Sequence, residues 1–391
     1  MRVVHVITRL IVGGAQENTV DSVLGLRRKP GLDPRLVSGP CSPLEGSLES
    51  RFADCPELLT LLPDLVRPIN PWRDWTAYRR LLECFRRQRP DIVHTHSGKA
   101  GILGRLAAAR ARVPLILHTV HGPSFGPFQG PAANWAFRAA ERFAAKVTTH
   151  FVVVADAMRD QYLQAGIGRP EQYTKILSGF PLEPFLTAAN DPALRARLGI
   201  AAEDIVVGKI ARITRLKGHE DLLAVAPELL REVPRLKFLL VGDGSLRRRV
   251  ERQVRDAGLQ SHFIFAGLVA PGQVPPLVGI MDLVVHLSLR EGLPRSLPQA
   301  LAAGRPVIAY DCDGAREVCL DDQTGFLLPP RDTAGLRLRL LQLARSPELR
   351  QRLGHTGRNF VRERFSLDRM VDDLYELYLR LARQRRHPQP A

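Results

Sequence analysis

The chain has 391 residues, more than one hydrophobic core ordinarily supports, so two domains are expected. Its 45% hydrophobic and 25% charged content is that of a globular protein, and no apolar run approaches the roughly 20 residues that a membrane-spanning helix needs. A net charge of +16 calls for a polyanionic neighbour, whereas five cysteines, odd in number and without a Cys-x-x-Cys pair, argue against a disulfide framework and a zinc site.

In chain order, Met1 to Ile11 opens as a strand without the apolar core and cleavage site of a signal peptide, so a cytoplasmic protein is expected. The strand Val3–Ile7 leads through Gly13-Gly14-Ala15-Gln16 into a helix reaching about Leu26, and two glycines there let backbone amides approach a phosphate or a sugar. Strands then follow at Leu36–Ser38, Leu58–Leu61, Asp91–His94, Leu115–His118 and Phe151–Val154, with helices at about Trp72–Arg89, Lys99–Ala111 and Ala132–Ala145. His94-Thr95-His96 and His118 to Gly122 read as histidine-bearing loops at strand ends, with His121 and Gly122 reaching a ligand hydroxyl; no metal site is expected there, since no carboxylate or cysteine accompanies them at ligand spacing.

The Gly/Pro-punctuated segment Ser178 to Phe185 marks a boundary, giving expected domains at 1–180 and 181–365, with a last helix and basic tail at 366–391. A second β-α series runs through Ile205–Ala211, a helix Glu220–Glu232, Leu236–Val241, a helix Arg247–Ala257, Phe263–Ala266, Leu283–Leu287, Pro306–Ala309 and Gly325–Leu328. Alternation of this kind builds doubly wound parallel sheets, one in each half, enclosing a cleft. Met370, Leu374, Leu377, Tyr378 and Leu381 recur at helical spacing, and Arg380 to His387 reads as a solvated end.

Two clusters carry chemistry. Arg212 and Lys217 follow a strand, and a guanidinium with a mobile ammonium can neutralise a departing diphosphate without a metal. Glu291 sits on a loop at another strand's end, in Arg290-Glu-Gly-Leu-Pro294, and Ser296-x-x-Gln299 has the pattern of a capping box. Gln299 then either closes the helix end or faces the same ligand as Glu291.

With these motifs in order, the chain resembles the retaining glycosyltransferases of the GT-B fold, and in particular glycosyltransferase family 4. The resemblance rests on Gly13-Gly14-Ala15, Asp91-Ile-Val-His-Thr-His96, His121-Gly122, Arg212 with Lys217, Val241-Gly-Asp-Gly244, Phe265-Ala-Gly267, Glu291-Gly-Leu-Pro294 and Thr324-Gly-Phe-Leu-Leu-Pro329. It implies two Rossmann-like domains, the last helix returning to the first of them. It also implies that the Gly13–Gly14 loop, Arg212 and Lys217 hold a nucleoside diphosphate. Glu291, Gly292 and Leu293 would meet the donor sugar, His121 the anomeric centre, and residues around Gly244, Gly267 and Leu268 the nucleotide. The family's second glutamate, which grips the ribose, is replaced here by Gln299.

The implied reaction is transfer from a nucleotide sugar, a UDP-sugar being favoured, to a saccharide or lipid-linked acceptor in cell-surface polysaccharide synthesis. It would proceed with retention of configuration and no cofactor. Basic clusters such as Arg79-Arg80 and Arg86-Arg87 suit an anionic membrane surface at the inner face of the cell membrane. No recognition-helix or aromatic-platform pattern points to nucleic acid. Two alternatives are a sugar-nucleotide epimerase, for which no acid/base pair can be placed, and a non-catalytic nucleotide-sugar-binding scaffold, to which Gln299 would point.

Overall fold

A computed structural model describes residues 1–41, 46–126 and 128–386. The chain divides into two compact units, Met1–Phe180 with Leu367–Ala391, and Pro181–Ser366.

The first unit runs β1 (Arg2–Val6), α1 (Gly14–Leu26), β2 (Asp33–Ser38), β3 (Leu59–Leu61), α2 (Pro71–Gln88), β4 (Ile92–His96), α3 (Gly98–Arg110), β5 (Leu115–Val120), α4 (Pro131–Ala145), β6 (His150–Val153), α5 (Asp156–Gln164) and β7 (Tyr173–Lys175). Its seven strands pair in parallel in the order β3-β2-β1-β4-β5-β6-β7. The second unit runs α6 (Glu183–Leu186), α7 (Pro192–Arg197), β8 (Ile205–Ile210), α8 (His219–Glu232), β9 (Leu236–Val241), α9 (Arg247–Asp256), β10 (Phe263–Gly267), α10 (Val274–Gly279), β11 (Leu283–His286), α11 (Ser296–Ala302), β12 (Val307–Tyr310), β13 (Gly325–Leu328), α12 (Thr333–Arg345) and α13 (Pro347–Arg364). Its sheet is again all parallel, β10-β9-β8-β11-β12-β13.

Strand order reverses between β1 and β4 in one sheet and between β8 and β11 in the other. In doubly wound sheets such a switch point opens a crevice at the strands' C-terminal ends, where loops diverge to either side. That rule fixes where function is sought in each unit.

The last helix, α14 (Leu367–Arg386), belongs to the first unit. Its apolar face, Met370, Val371, Leu374, Leu377, Tyr378 and Leu381, is buried with Val3, Leu26, Ile92 and Leu117. Close approach to α1 depends on Gly25, where an added Cβ would stand 2.3 Å from Val371 Cγ2. The basic end is exposed, as expected, and two of its arginines reach the surface of the first unit: Arg380 donates to Thr174 Oγ1 at 3.1 Å, and Arg385 donates to the Pro114 carbonyl. His387, which the sequence reading placed in that end, lies outside the described residues.

Two further sequence expectations change. His94-Thr95-His96 is not a loop: β4 runs two residues further than its apolar pattern suggests, and His94 and His96 are 0% and 1% exposed. His118 likewise lies within β5, so it is a core residue rather than a strand end. Strands buried on both faces tolerate histidine when each ring nitrogen finds a partner. Here His94 meets the Tyr378 hydroxyl and Thr119 Oγ1, and His118 meets Thr95 Oγ1 at 2.9 Å.

Burial keeps these rings neutral, pressing His5 down to about 3 and His150 to about 4, and holding His94, His96 and His118 well below the ordinary 6.5. The unfolded chain therefore binds more protons than the native one below pH 6.5. The stability is fully present above that pH and is lost as pH falls toward the folded values. Each such histidine should contribute a slope on the order of 1 kcal/mol per pH unit in this window. Urea unfolding followed from pH 7 to 5 should show the midpoint of the first unit falling steeply. A midpoint flat across that range would contradict the neutral, buried assignment.

Candidate active site

The second unit's switch point brings together the loops after β8 and β11. Lys217 Nζ donates to Glu291 Oε1, and both side chains are largely buried. The β8 loop bends tightly to bring the ammonium there: Leu216 has φ 67° and Gly218 φ 63°. A Cβ on Gly218 would stand 2.1 Å from the Leu287 carbonyl oxygen, so glycine is required between Lys217 and α8. Leu289 N donates to the Leu216 carbonyl at 2.9 Å, tying the two loops along their backbones as well.

Glu291 is held from three sides. Its backbone N–H donates to Asp313 Oδ2 at 2.6 Å, and His286 Nε2 lies 3.4 Å from its Oε1. Gly314 N reaches the Gly292 carbonyl at 3.0 Å and fixes the following turn. Burial opposes the charged carboxylate, but the Lys217 ammonium and the His286 ring outweigh it, so the Glu291 carboxyl stays well below the usual carboxylate range. His286 is itself pressed below 6.5 by burial, with Glu291 partly offsetting. Beneath the pair, Lys209 on β8 is 1% exposed and is lowered to about 7, by burial first and then by Lys217.

The structure does not bring every expected residue into contact. Arg212 is exposed after β8, and its side chain makes no hydrogen bond or ion pair among the described residues. Gly244 and Gly267 close the neighbouring strand ends: a Cβ on Gly244 would lie 2.5 Å from the Ile213 carbonyl oxygen, and Gly267 has φ 73°. Leu268, just beyond, is 48% exposed. Gly292 and Leu293 are buried in the Glu291 turn.

Ser296 is not an N-cap. It is the first residue of α11, Arg295 is the cap and its side chain does not bond to the helix end, and the Ser296 hydroxyl is 3.1 Å from His286 Nδ1 instead. The capping box is therefore absent, and the half-buried Gln299 side chain makes no hydrogen bond among the described residues. An amide so placed can pair with a ligand.

His286, Asp313 and Lys209 were missed from the sequence. Only Asp313, in the left-handed region at φ 51°, carried a signal of its own, through the neighbouring Gly314. The other two look like strand residues.

In the first unit, the corresponding edge carries Gly13 and Gly14 at the start of α1, and His121 with Gly122 directly after β5. Gly13, the N-cap, is extended and offers no side-chain cap to the first turn of α1. Between them Ser97, after β4, adopts φ 65°, a strained value for a non-glycine residue at a switch point. His121 is half-buried, with Nε2 3.0 Å from His96 Nδ1. His5, His94 and His96 place ring nitrogens within 4.8 Å of one another, but His5 and His96 hydrogen-bond to each other and His94 pairs outward with Tyr378 and Thr119.

Comparison with known proteins agrees with this arrangement. Residues 13–176 match the family model "Glycosyl transferase 4-like domain", and residues 190–360 match "Glycosyl transferases group 1". EpsD of Bacillus subtilis (strain 168) is 29% identical over 81% of this chain and 83% of its own length. The UDP-Gal:alpha-D-GlcNAc-diphosphoundecaprenol alpha-1,3-galactosyltransferase of Escherichia coli is 27% identical over 81% of this chain and 82% of its own. Among solved structures, Anabaena HepE in complex with UDP and glucose superposes with a TM-score of 0.82 at 21% identity, covering 97% of this chain and 99% of that one. With both units matched by glycosyltransferase models and both sheets built on the Rossmann-like plan, the chain belongs to the GT-B glycosyltransferases of family 4.

Proposed function

We propose that this glycosyltransferase moves a sugar from a UDP-sugar to a saccharide or lipid-linked acceptor in cell-surface polysaccharide synthesis, with retention of configuration and without a cofactor. The observation that carries the reading is the Lys217–Glu291 pair at the second sheet's switch point, with Arg212 exposed on the same loop. The names of similar proteins support it: the E. coli relative is called a UDP-Gal transferase acting on a diphosphoundecaprenol-linked sugar, and the Anabaena structure is a complex with UDP and glucose.

On this reading the diphosphate draws the Lys217 ammonium and the Arg212 guanidinium, and Glu291, relieved of its lysine, accepts from sugar hydroxyls. Gly244, Gly267 and Leu268 border the nucleotide, and Gln299 takes the ribose with neutral hydrogen bonds. Those are weaker than a carboxylate's by roughly 1 to 2 kcal/mol. The Gly13–Gly14 amides serve the phosphates, while His121 and Gly122 serve the anomeric centre. In the chemical step the C1–O bond to the β-phosphate breaks and the acceptor oxygen bonds to C1. The acceptor's proton passes to the departing phosphate oxygen, whose charge Arg212 and Lys217 stabilise.

The membrane-facing part of the proposal rests on α2. Its inner face is buried through Ala77, Leu81 and Phe85, while Trp72 and Trp75 are 78% and 56% exposed and Ile69, just before the helix, is 72% exposed. Exposed arginines at 73, 79, 80, 86 and 87 flank these rings. Aromatic rings beside basic residues suit the interface of an anionic bilayer, where each cation gains about 1 kcal/mol.

Two experiments test these points. Thermal unfolding against UDP-, GDP- and ADP-sugars without added metal should show stabilisation of about 2.7 kcal/mol at a hundredfold excess over Kd for the UDP series. The shift should be weakened in Arg212→Ala, and a panel that moves nothing would argue for a scaffold instead. Flotation with vesicles should recover the protein on phosphatidylglycerol-containing membranes and not on phosphatidylcholine alone. Trp72→Ala with Trp75→Ala should reduce that recovery several-fold; equal recovery on both lipids, or no effect of the double substitution, would contradict the assignment of α2.

A further inference from the structure

The strand histidines of the first unit form a hydrogen-bonded line that takes in His121. His121 Nε2 is 3.0 Å from His96 Nδ1, and His96 Nε2 is 3.0 Å from His5 Nδ1. The ring planes differ by only 26° and 14°, with centroids 5.3 and 5.2 Å apart. Those separations exceed the N···N distances by about the width of a ring, so the imidazoles meet end to end, not face to face. Beyond His5 the line continues through the Tyr378 hydroxyl, 3.4 Å from His5 Nε2 and 2.5 Å from His94 Nδ1, and ends at Thr119 Oγ1, 2.6 Å from His94 Nε2.

A neutral imidazole has one N–H and one bare nitrogen. Each N···N contact in the line needs a single proton between its two nitrogens. If His96 carries its proton on Nε2, its bare Nδ1 requires Nε2–H on His121, and its own Nε2–H requires a bare Nδ1 on His5. If His96 carries its proton on Nδ1, both neighbours reverse. Charging a ring offers no escape, because His5 and His96 are fully buried among other histidines.

We infer that His5, His96 and His121 act as one tautomeric unit, so that His5, His96 and Tyr378 are positioning residues that decide whether the outer nitrogen of His121 accepts or donates. The sense follows from the Tyr378 links. A tyrosine hydroxyl has one proton to give; given along the shorter contact, 2.5 Å to His94 Nδ1, it leaves the oxygen to accept from His5 Nε2–H. All three rings then carry the proton on Nε2, and His121 Nδ1 is an acceptor. The positioning role rests on the proposed use of His121 at the anomeric centre; the shared tautomer does not.

Replacing Tyr378 by Phe keeps the ring and removes the acceptor. A buried N–H without a partner is less tolerable than a bare acceptor nitrogen, so the three rings should reverse together to Nδ1–H. Long-range 1H–15N correlation spectra of the full chain separate protonated from bare ring nitrogens, and His121→Asn assigns the outer ring. The wild type at pH 7.5 should show three neutral Nε2–H rings, and folded Tyr378→Phe should move the His121 nitrogens although Tyr378 does not touch that residue. Mixed tautomers among the three rings would overturn the inference even if Tyr378→Phe does not fold. Unchanged His121 resonances in a folded Tyr378→Phe would overturn the role of Tyr378. If UDP-glucose binding, read by calorimetry, is absent in a wild type with three matched tautomers, the positioning role falls with the donor reading while the shared tautomer stands.

Discussion

The pairing of Lys217 with Glu291 is the interaction on which the candidate site depends. Two opposite charges are largely withdrawn from water at the ends of adjacent parallel strands, and each is tolerable there because of the other. The surrounding backbone serves that placement. Gly218 lets α8 start against the Leu287 carbonyl, Asp313 accepts from the Glu291 amide, and His286, steadied by Ser296, lies beside the carboxylate. On the proposed reading such a pair is poised for exchange. A diphosphate is a stronger partner for the ammonium than one carboxylate, and a sugar's hydroxyls are suitable donors for the carboxylate so released.

The first unit solves a different problem. Its central strands are buried on both faces, yet β1, β4 and β5 carry His5, His94, His96 and His118 where apolar side chains would pack without cost in hydrogen bonding. Their nitrogens meet one another, His121, the hydroxyls of Thr95 and Thr119, and Tyr378, which arrives on the last helix. A residue of the last helix therefore completes a network that reaches His121, directly after β5. This gives α14 a polar as well as an apolar reason to dock on this unit.

Much of this was legible in the sequence because parallel α/β sheets write themselves as apolar runs separated by helical patterns and glycine turns. The loops bearing Gly13–Gly14, His121, Lys217 and Glu291 all fall at strand C-terminal ends, as alternation predicted, and the glycosyltransferase resemblance followed their order. What was not legible has identifiable causes. The short α5 and α7 have too few turns to show a period. His-x-His looked like a loop because histidine is polar, and only the partner strands reveal that its nitrogens are satisfied inside the sheet. Ser296-x-x-Gln299 satisfied the pattern of a capping box, but the serine hydroxyl turned to His286, a contact between residues ten apart that no local rule anticipates. His286 and Lys209 were hidden inside apolar strands: their roles come from the folding back of the Glu291 and Lys217 loops that follow β11 and β8.

The most direct test of the account is a double-mutant cycle on UDP-glucose affinity, measured by calorimetry with wild type, Lys217→Met, Glu291→Gln and the pair together. If the two residues exchange partners on binding, each single substitution weakens the sugar nucleotide at least tenfold. Lys217→Met should also weaken UDP itself, whereas Glu291→Gln should leave UDP binding within a few-fold, and the double variant should depart from additivity by about 1 kcal/mol or more. Additive losses, or UDP and UDP-glucose affinities that respond identically to Glu291→Gln, would contradict the assignment of the lysine to the diphosphate and the glutamate to the sugar.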